Sequence, residues 1–178
     1  MSNGEFDTCS DEYMQIVVKD AQSLYKSKMR RMEYICERAL LRELTGEVDM
    51  EIMHNADGKP LLMNGSNISI SHTRGFVAII LSEKKNVGID IEYVHDRVMG
   101  IANRFMREDE SASDIKSLLI HWCAKETIYK LFSSEHLDFK DIKVCMGDSP
   151  FVTNMKDGTQ VKLYVESSPD YVLTYSVL

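Results

Sequence analysis

Two apolar runs of strand composition, Phe76 to Ser82 and Val87 to Glu92, are separated by four polar residues, Glu83 to Asn86. A parallel crossover needs a dozen or more residues, so this connection favours an antiparallel hairpin over a βαβ unit. A shorter run, Asn67 to Ser71, comes before them. Three more strand-like runs close the chain, Ile142 to Met146, Val161 to Glu166 and Tyr171 to Val177. Helical periodicity fills the remainder. Met29, Met32, Ile35/Cys36, Ala39/Leu40 and Leu44 recur every three to four residues within a helical region of about 11–44, which Thr45-Gly46 ends. Val48, Met50 and Ile52 then alternate with Asp49, Glu51 and Met53 as a strand, and Asp57-Gly58 turns the chain. Further helices are expected at about 97–106 and 114–132. Helices mixed with antiparallel strands give an α+β fold.

The chain has 178 residues, 44% apolar and 28% charged, enough to hold a core without disulfides or metal staples. Its longest apolar run, Phe76 to Leu81, is far shorter than the ~20 residues of a membrane span. The opening MSNGEFDTCS lacks the basic and apolar regions of a secretory signal, so a cytoplasmic location is expected. Cys9, Cys36, Cys123 and Cys145 have no zinc-site spacing and read as small apolar residues or plain thiols. With three prolines and no low-complexity segment, one unit is expected, built from two lobes of about 11–83 and 84–178.

A net charge of -7 argues against non-specific nucleic-acid binding. The charge is uneven. Lys19 to Arg42 holds seven bases against three acids, a local +4 that leaves -11 on the rest. Such a run serves either as a solvated helix face or as a site for an anionic ligand.

Three constellations could carry chemistry. In Gly88-Ile89-Asp90-Ile91-Glu92, strand alternation puts Asp90 and Glu92 on one face and the isoleucines on the other. Adjacent carboxylates raise each other's pKa unless a cation lies between them, and Mg²⁺ suits such a pair together with phosphate oxygens. In Trp122-Cys-Ala-Lys125-Glu126-Thr-Ile-Tyr129-Lys130, helical spacing places Trp122, Glu126 and Lys130 on a shared face, with Lys125 about 100° away and free to serve a different partner. In Ile70-Ser71-His72-Thr73, His72 and Ser71 could each donate to a phosphate. As strand neighbours they face opposite ways, so they are no nucleophile–base pair. Acids for a cation, with His, Lys and Arg for phosphates, suit magnesium-assisted transfer between a phosphate ester or anhydride and a hydroxyl.

The order GKP (58–60), ISISHT (68–73), VGIDIE (87–92) and WCAKETIYK (122–130) resembles the 4′-phosphopantetheinyl transferases. It is more similar to the larger, surfactin-synthetase-activating-type branch than to the short trimeric holo-acyl-carrier-protein synthases, and the similarity runs from about Lys28 to Phe139. The resemblance implies two similar lobes related by a pseudo-twofold, each a small antiparallel sheet with a long helix, and a monomer with coenzyme A in the cleft between them. It implies transfer of the 4′-phosphopantetheine arm of coenzyme A to a serine of an apo acyl or peptidyl carrier protein, with Mg²⁺ present, releasing adenosine 3′,5′-bisphosphate. Carried over by motif, Asp90, Glu92 and Glu126 would hold Mg²⁺, and Glu126 would also deprotonate the carrier serine. Lys130 would stabilise or protonate the leaving phosphate, and Ser71 and His72 would bind phosphate oxygens. Lys59 would contact the nucleotide or pyrophosphate, and Arg30, Arg31 and Arg38 the 3′-phosphate region. The carrier is expected to dock near the basic helix or near Arg97, Arg104 and Arg107, where Phe105 and Met106 would add apolar contact. Two rivals use the same residues: a magnesium-dependent phosphodiesterase acting through water, and a non-catalytic homologue that binds coenzyme A or carrier without turnover.

Overall fold

The structure is a computed structural model that describes residues 11–47 and 50–178. Chain contacts divide it into two compact units, one ending at Met50 and the other running from Glu51 to Leu178. No helix among the described residues is long and apolar enough to cross a membrane.

The first unit holds two helices where the sequence suggests one helical region. Helix α1 (Glu12–Leu24) starts at Asp11, whose carboxylate caps the Met14 N–H, and buries the stripe Met14, Val17 and Ala21. Tyr25 leaves the helix in extended conformation, and Ser27 then caps helix α2 (Lys28–Thr45). Gly46, at φ 71°, ends α2 in the left-handed conformation that costs glycine little. An ion pair from Arg42, late in α2, to Asp11, at the head of α1, makes the two helices an antiparallel hairpin. Of the strand expected from Val48 onward, Val48 and Asp49 lie outside the described residues, as does Cys9.

The second unit has three antiparallel sheets around one helix. Strands β1 (Ile52–His54), β2 (Pro60–Leu62), β3 (Asn67–Thr73) and β4 (Phe76–Ser82) form the first sheet in sequential order. Strand β5 (Val87–Tyr93) is followed by a 3-10 helix (Asp96–Ile101), the short α3 (Ala102–Phe105) and the long α4 (Ile115–Leu131). Strands β6 (Ile142–Cys145), β7 (Phe151–Asn154), β8 (Gln160–Lys162), β9 (Tyr164–Ser167) and β10 (Tyr171–Val177) complete the chain. Sheet two has the order β5-β10-β9 and sheet three β6-β7-β8.

The expected hairpin of β4 and β5 is corrected. The hairpin is β3–β4, in register from Asn67↔Ser82 to Thr73↔Phe76, and β5 pairs with the last strand, from Val87↔Val177 to Tyr93↔Tyr171. The turn at 83–86 therefore carries the chain from one sheet to another. Two physical features explain the change of sheet. Ile89 and Ile91 of β5 bury themselves with Ala78 of β4, a face-to-face packing that a hairpin would not provide. The N–H groups of Ile89 and Ile91 find acceptors in the hydroxyls of Ser69 (3.1 Å) and Ser71 (3.4 Å) on β3, so β5 needs no ladder on that side.

Helix α4 starts at an Asp114–Ser117 capping box and is buried around much of its circumference. Ala124, Ile128 and Leu131 pack into a core with Ile142, Val152 and Val161 of sheet three. Leu119 and Cys123 pack with Val98, Phe105 and Val172. The Thr127 hydroxyl donates to the Thr174 carbonyl (3.0 Å), tying α4 to β10. The run expected from Val161 to Glu166 is broken at Leu163, which is buried and separates β8 from β9 as the chain changes sheet.

Candidate active site

Three elements of the second unit converge. β5 supplies Asp90 and Glu92, α4 supplies Trp122, Glu126 and Lys130, and β3 supplies Ser69, Ser71 and Thr73. The convergence depends on Gly88. A Cβ at that position would stand 2.2 Å from the Thr127 carbonyl oxygen, so only glycine lets α4 lie this close to β5.

Asp90 is buried, with 5% of its surface exposed. Its Oδ1 accepts from Lys130 Nζ (2.7 Å) and from Ser71 Oγ (2.7 Å), and Lys130 also donates to the Ile89 carbonyl (3.0 Å). Its Oδ2 is buried and has no hydrogen-bond partner. Glu92 Oε2 accepts from Thr73 Oγ1 (2.7 Å), His95 Nε2 stands 3.9 Å away, and the Trp122 indole lies close enough to oppose the rise of its pKa. Burial raises the pKa of Glu92, with the Thr73 hydrogen bond opposing and the Asp90 charge adding to the rise. Glu126 carries the largest consequence. Burial first, then the Asp90 charge, push its carboxyl up to about 7, with Lys130 opposing.

Three carboxylates thus share one partly dry region with a single lysine, and one buried carboxylate oxygen lacks a donor. This all-oxygen, over-negative set fits a hard divalent cation in chemical character. Among the described residues no three acidic, His or Cys side chains are already gathered closely enough to hold a metal ion, and Lys130 Nζ sits on Asp90 Oδ1.

The helical spacing in the sequence is realised: Lys130 bonds Asp90, Trp122, two turns earlier, lies near Glu92, and Glu126 sits between them on the helix. Ser71 spends its hydroxyl on Asp90, while His72, its strand neighbour, falls on the alternate face of β3 in register with Val77. Lys59, at the end of the β1–β2 turn, lines a cavity of about 540 Å³ with Asn55, Asn67, Leu131 and Ser133. Arg30, Arg31 and Arg38 belong to α2 in the first unit. There Arg30 pairs with Glu33 (2.9 Å), Arg31 bonds the Tyr25 carbonyl (2.6 Å) and Arg38 lies 3.3 Å over the Tyr34 ring.

Lys125 does serve a different partner. It is fully buried, pairs with Glu110 (2.8 Å) and donates to the carbonyls of Phe139 (3.0 Å) and Ile142 (2.7 Å). Phe105, expected to offer contact to a carrier, has no exposed surface and packs edge-on against Trp122 at 5.2 Å. Burial raises the Cys123 thiol well above its ordinary value, which suits a packing residue and not a nucleophile. Sequence reasoning missed the roles of Gly88, Ser69, Thr73 and Glu110. The serines and threonine carried a signal in their period-2 spacing, which puts three hydroxyls on one strand face. Glu110 lies in a loop and carried none.

The sequence profile of the 4′-phosphopantetheinyl transferase superfamily matches residues 86–176, the span from the start of β5 nearly to the end of β10. That is half of the chain, and the protein belongs to this superfamily, whose members act on carrier proteins with coenzyme A as the donor. No curated protein matches the chain in sequence.

Proposed function

We propose that this protein transfers the 4′-phosphopantetheine arm of coenzyme A to a serine of an apo acyl or peptidyl carrier protein, with Mg²⁺, as a member of the larger, surfactin-synthetase-activating-type branch. The observation that carries the reading is the convergence of Asp90, Glu92 and Glu126 on one buried region, with Lys130 bonded to Asp90 at 2.7 Å. A carboxylate placed within reach of a serine hydroxyl can take its proton.

In this reaction the serine Oγ attacks the phosphorus attached to the pantetheine arm. The new O–P bond forms as the bridging P–O bond breaks, and adenosine 3′,5′-bisphosphate departs. Glu126 takes the serine proton. Lys130, a cation with three donors at the mouth of Asp90, stabilises charge on the leaving phosphate. Asp90, Glu92 and Glu126 are the residues that would hold Mg²⁺, which supplies charge neutralisation of the pyrophosphate when bound. Lys59 and the α2 arginines Arg30, Arg31 and Arg38 are the proposed contacts to the nucleotide half of coenzyme A, and His72 a contact to phosphate. Ser71 binds phosphate only if it leaves Asp90. The two-lobed arrangement with coenzyme A between lobes of about 11–83 and 84–178, the monomeric state and the cytoplasmic location belong to the same proposal.

The test is the intact mass of an apo carrier protein after incubation with this protein, coenzyme A and Mg²⁺. Gain of one phosphopantetheine arm, lost with EDTA or in Glu126→Gln, supports the reading. No gain across carriers of several classes, with coenzyme A still bound, favours the non-catalytic homologue. Hydrolysis of coenzyme A without any carrier favours the phosphodiesterase.

A further inference from the structure

β3 presents Ser69, Ser71 and Thr73 to β5 at every second position, and each hydroxyl has a different task. Ser69 bonds backbone alone, the Ile89 N–H at 3.1 Å. Ser71 bonds both backbone and the Asp90 carboxylate. Thr73 gives its hydroxyl to the Glu92 carboxylate at 2.7 Å. Toward the end of β5 the hydroxyl row thus passes from holding the strand to holding the strand's acids.

A carboxylate that must bind a cation reproducibly needs its plane fixed, and neutral donors can fix it without consuming its charge. Lys130, by contrast, would neutralise the acid that it holds. Glu92 receives one neutral donor, Thr73 Oγ1 from β3, and the Trp122 indole of α4 lies near the same carboxylate. Trp122 is itself clamped between Phe105 (5.2 Å) and Phe139 (5.3 Å), both edge-on. Glu92 is therefore held by a hydroxyl that leaves its negative charge available, beside an aromatic wall that is itself fixed.

We propose that Thr73 is a positioning residue, one that orients the Glu92 carboxylate for a divalent cation through its hydroxyl and does not itself contact substrate. The inference rests on the cation role given to Glu92 in the transferase reading. It assigns to Thr73 a task that the phosphate-binding role of its neighbours Ser71 and His72 does not include.

The experiment uses Mn²⁺ as the probe, with free Mn²⁺ counted by electron paramagnetic resonance in the presence of coenzyme A. Thr73→Val and Thr73→Ala remove the hydroxyl, and Thr73→Ser restores it. The expected result is a dissociation constant for Mn²⁺ raised roughly tenfold in Thr73→Val and Thr73→Ala, as for loss of other partners that orient metal ligands. Thr73→Ser should stay within about twofold of the parent, the affinity for coenzyme A without metal should not change, and Thr73→Val should add nothing on top of Glu92→Gln. Parent-like Mn²⁺ affinity in a folded Thr73→Ala or Thr73→Val, or failure of Thr73→Ser to restore it, overturns the proposal. Weakened coenzyme A binding without metal also overturns it, since that marks a direct ligand contact. A parent protein that does not bind Mn²⁺ removes its basis. A parent that binds Mn²⁺ with this Thr73 dependence but modifies no carrier overturns the transferase reading alone.

Discussion

Gly88 lies directly beneath the backbone carbonyl of Thr127, with no room for even a methyl group between β5 and α4. The contact sets how far Glu126 and Lys130 stand from Asp90. Gly88→Ala must lift the helix, because the obstructing atom is backbone and cannot rotate aside. We expect a loss of about 1–3 kcal/mol in urea unfolding, the usual cost of overpacking, together with loss of activity. An unchanged unfolding midpoint would show that α4 shifts freely and that the glycine is not what sets the spacing.

Glu126 predicts a pH dependence of stability in the metal-free protein. Its carboxyl is raised from 4.5 to about 7, so between those values the folded chain holds a proton that the unfolded chain has released. The favourable contribution is therefore present at low pH and is lost as pH rises through 7. In EDTA, Glu126→Gln should gain stability relative to the parent between pH 5 and pH 8, by up to about 3 kcal/mol at the upper end. Parallel curves for the two proteins would mean that the folded-state carboxyl titrates like an ordinary glutamate.

The charge of Asp90 is one of the causes of that rise, second to burial. Asp90→Asn keeps the shape and an acceptor for Ser71 but removes the charge. The Glu126 carboxyl should then titrate below 7, as followed by carbon NMR of labelled glutamate, and transfer activity should fall at least about 100-fold. A titration that does not move would leave burial and the Glu92 charge as the causes. Because Asp90 is buried and holds both Lys130 and Ser71, Asp90→Ala should also cost stability, unlike an acid on an open cleft wall.

Lys125 and Glu110 form a buried ion pair whose side chains are 0% and 1% exposed. Burial lowers the Lys125 pKa and the glutamate opposes that. Lys125→Met leaves the Glu110 carboxylate buried without its cation, held only by the Arg107 and Val144 N–H groups, and takes the donor from two backbone carbonyls, at a cost of about 3–5 kcal/mol. The double variant Lys125→Met with Glu110→Gln should recover part of this in thermal unfolding. If the single and double variants melt together, the cost belongs to the lost carbonyl bonds and not to the stranded charge.

The sequence showed the chemistry of this site more clearly than its connections. Alternation in β5 and four-residue spacing in α4 are local properties, and both place their acids and lysine as expected because a single element decides each face. The pairing of β5 with β10, nearly eighty positions later, is not local, and the short turn after β4 argued for the wrong partner. Strand β7 escaped notice because Phe151 to Asn154 is only four residues long, with two of them polar. The break between α1 and α2 is marked by Ser27, a capping residue hidden inside a run of helix-compatible neighbours. Glu110 could not be matched to Lys125 from sequence because its loop has no period to read.

The joining of β5 to β3 through serine hydroxyls has a consequence for how this protein can change over time. An ordinary β-ladder is made by the main chain and tolerates almost any side chain. Here the seam between two sheets is written in side chains, at Ser69 and Ser71, and one of them also holds the acid Asp90. A replacement at Ser71 is therefore read twice, once as architecture and once as chemistry. Ser69 carries only the architectural share. Variation that retunes the site without opening the seam is thus confined to Thr73, where the hydroxyl touches a carboxylate alone.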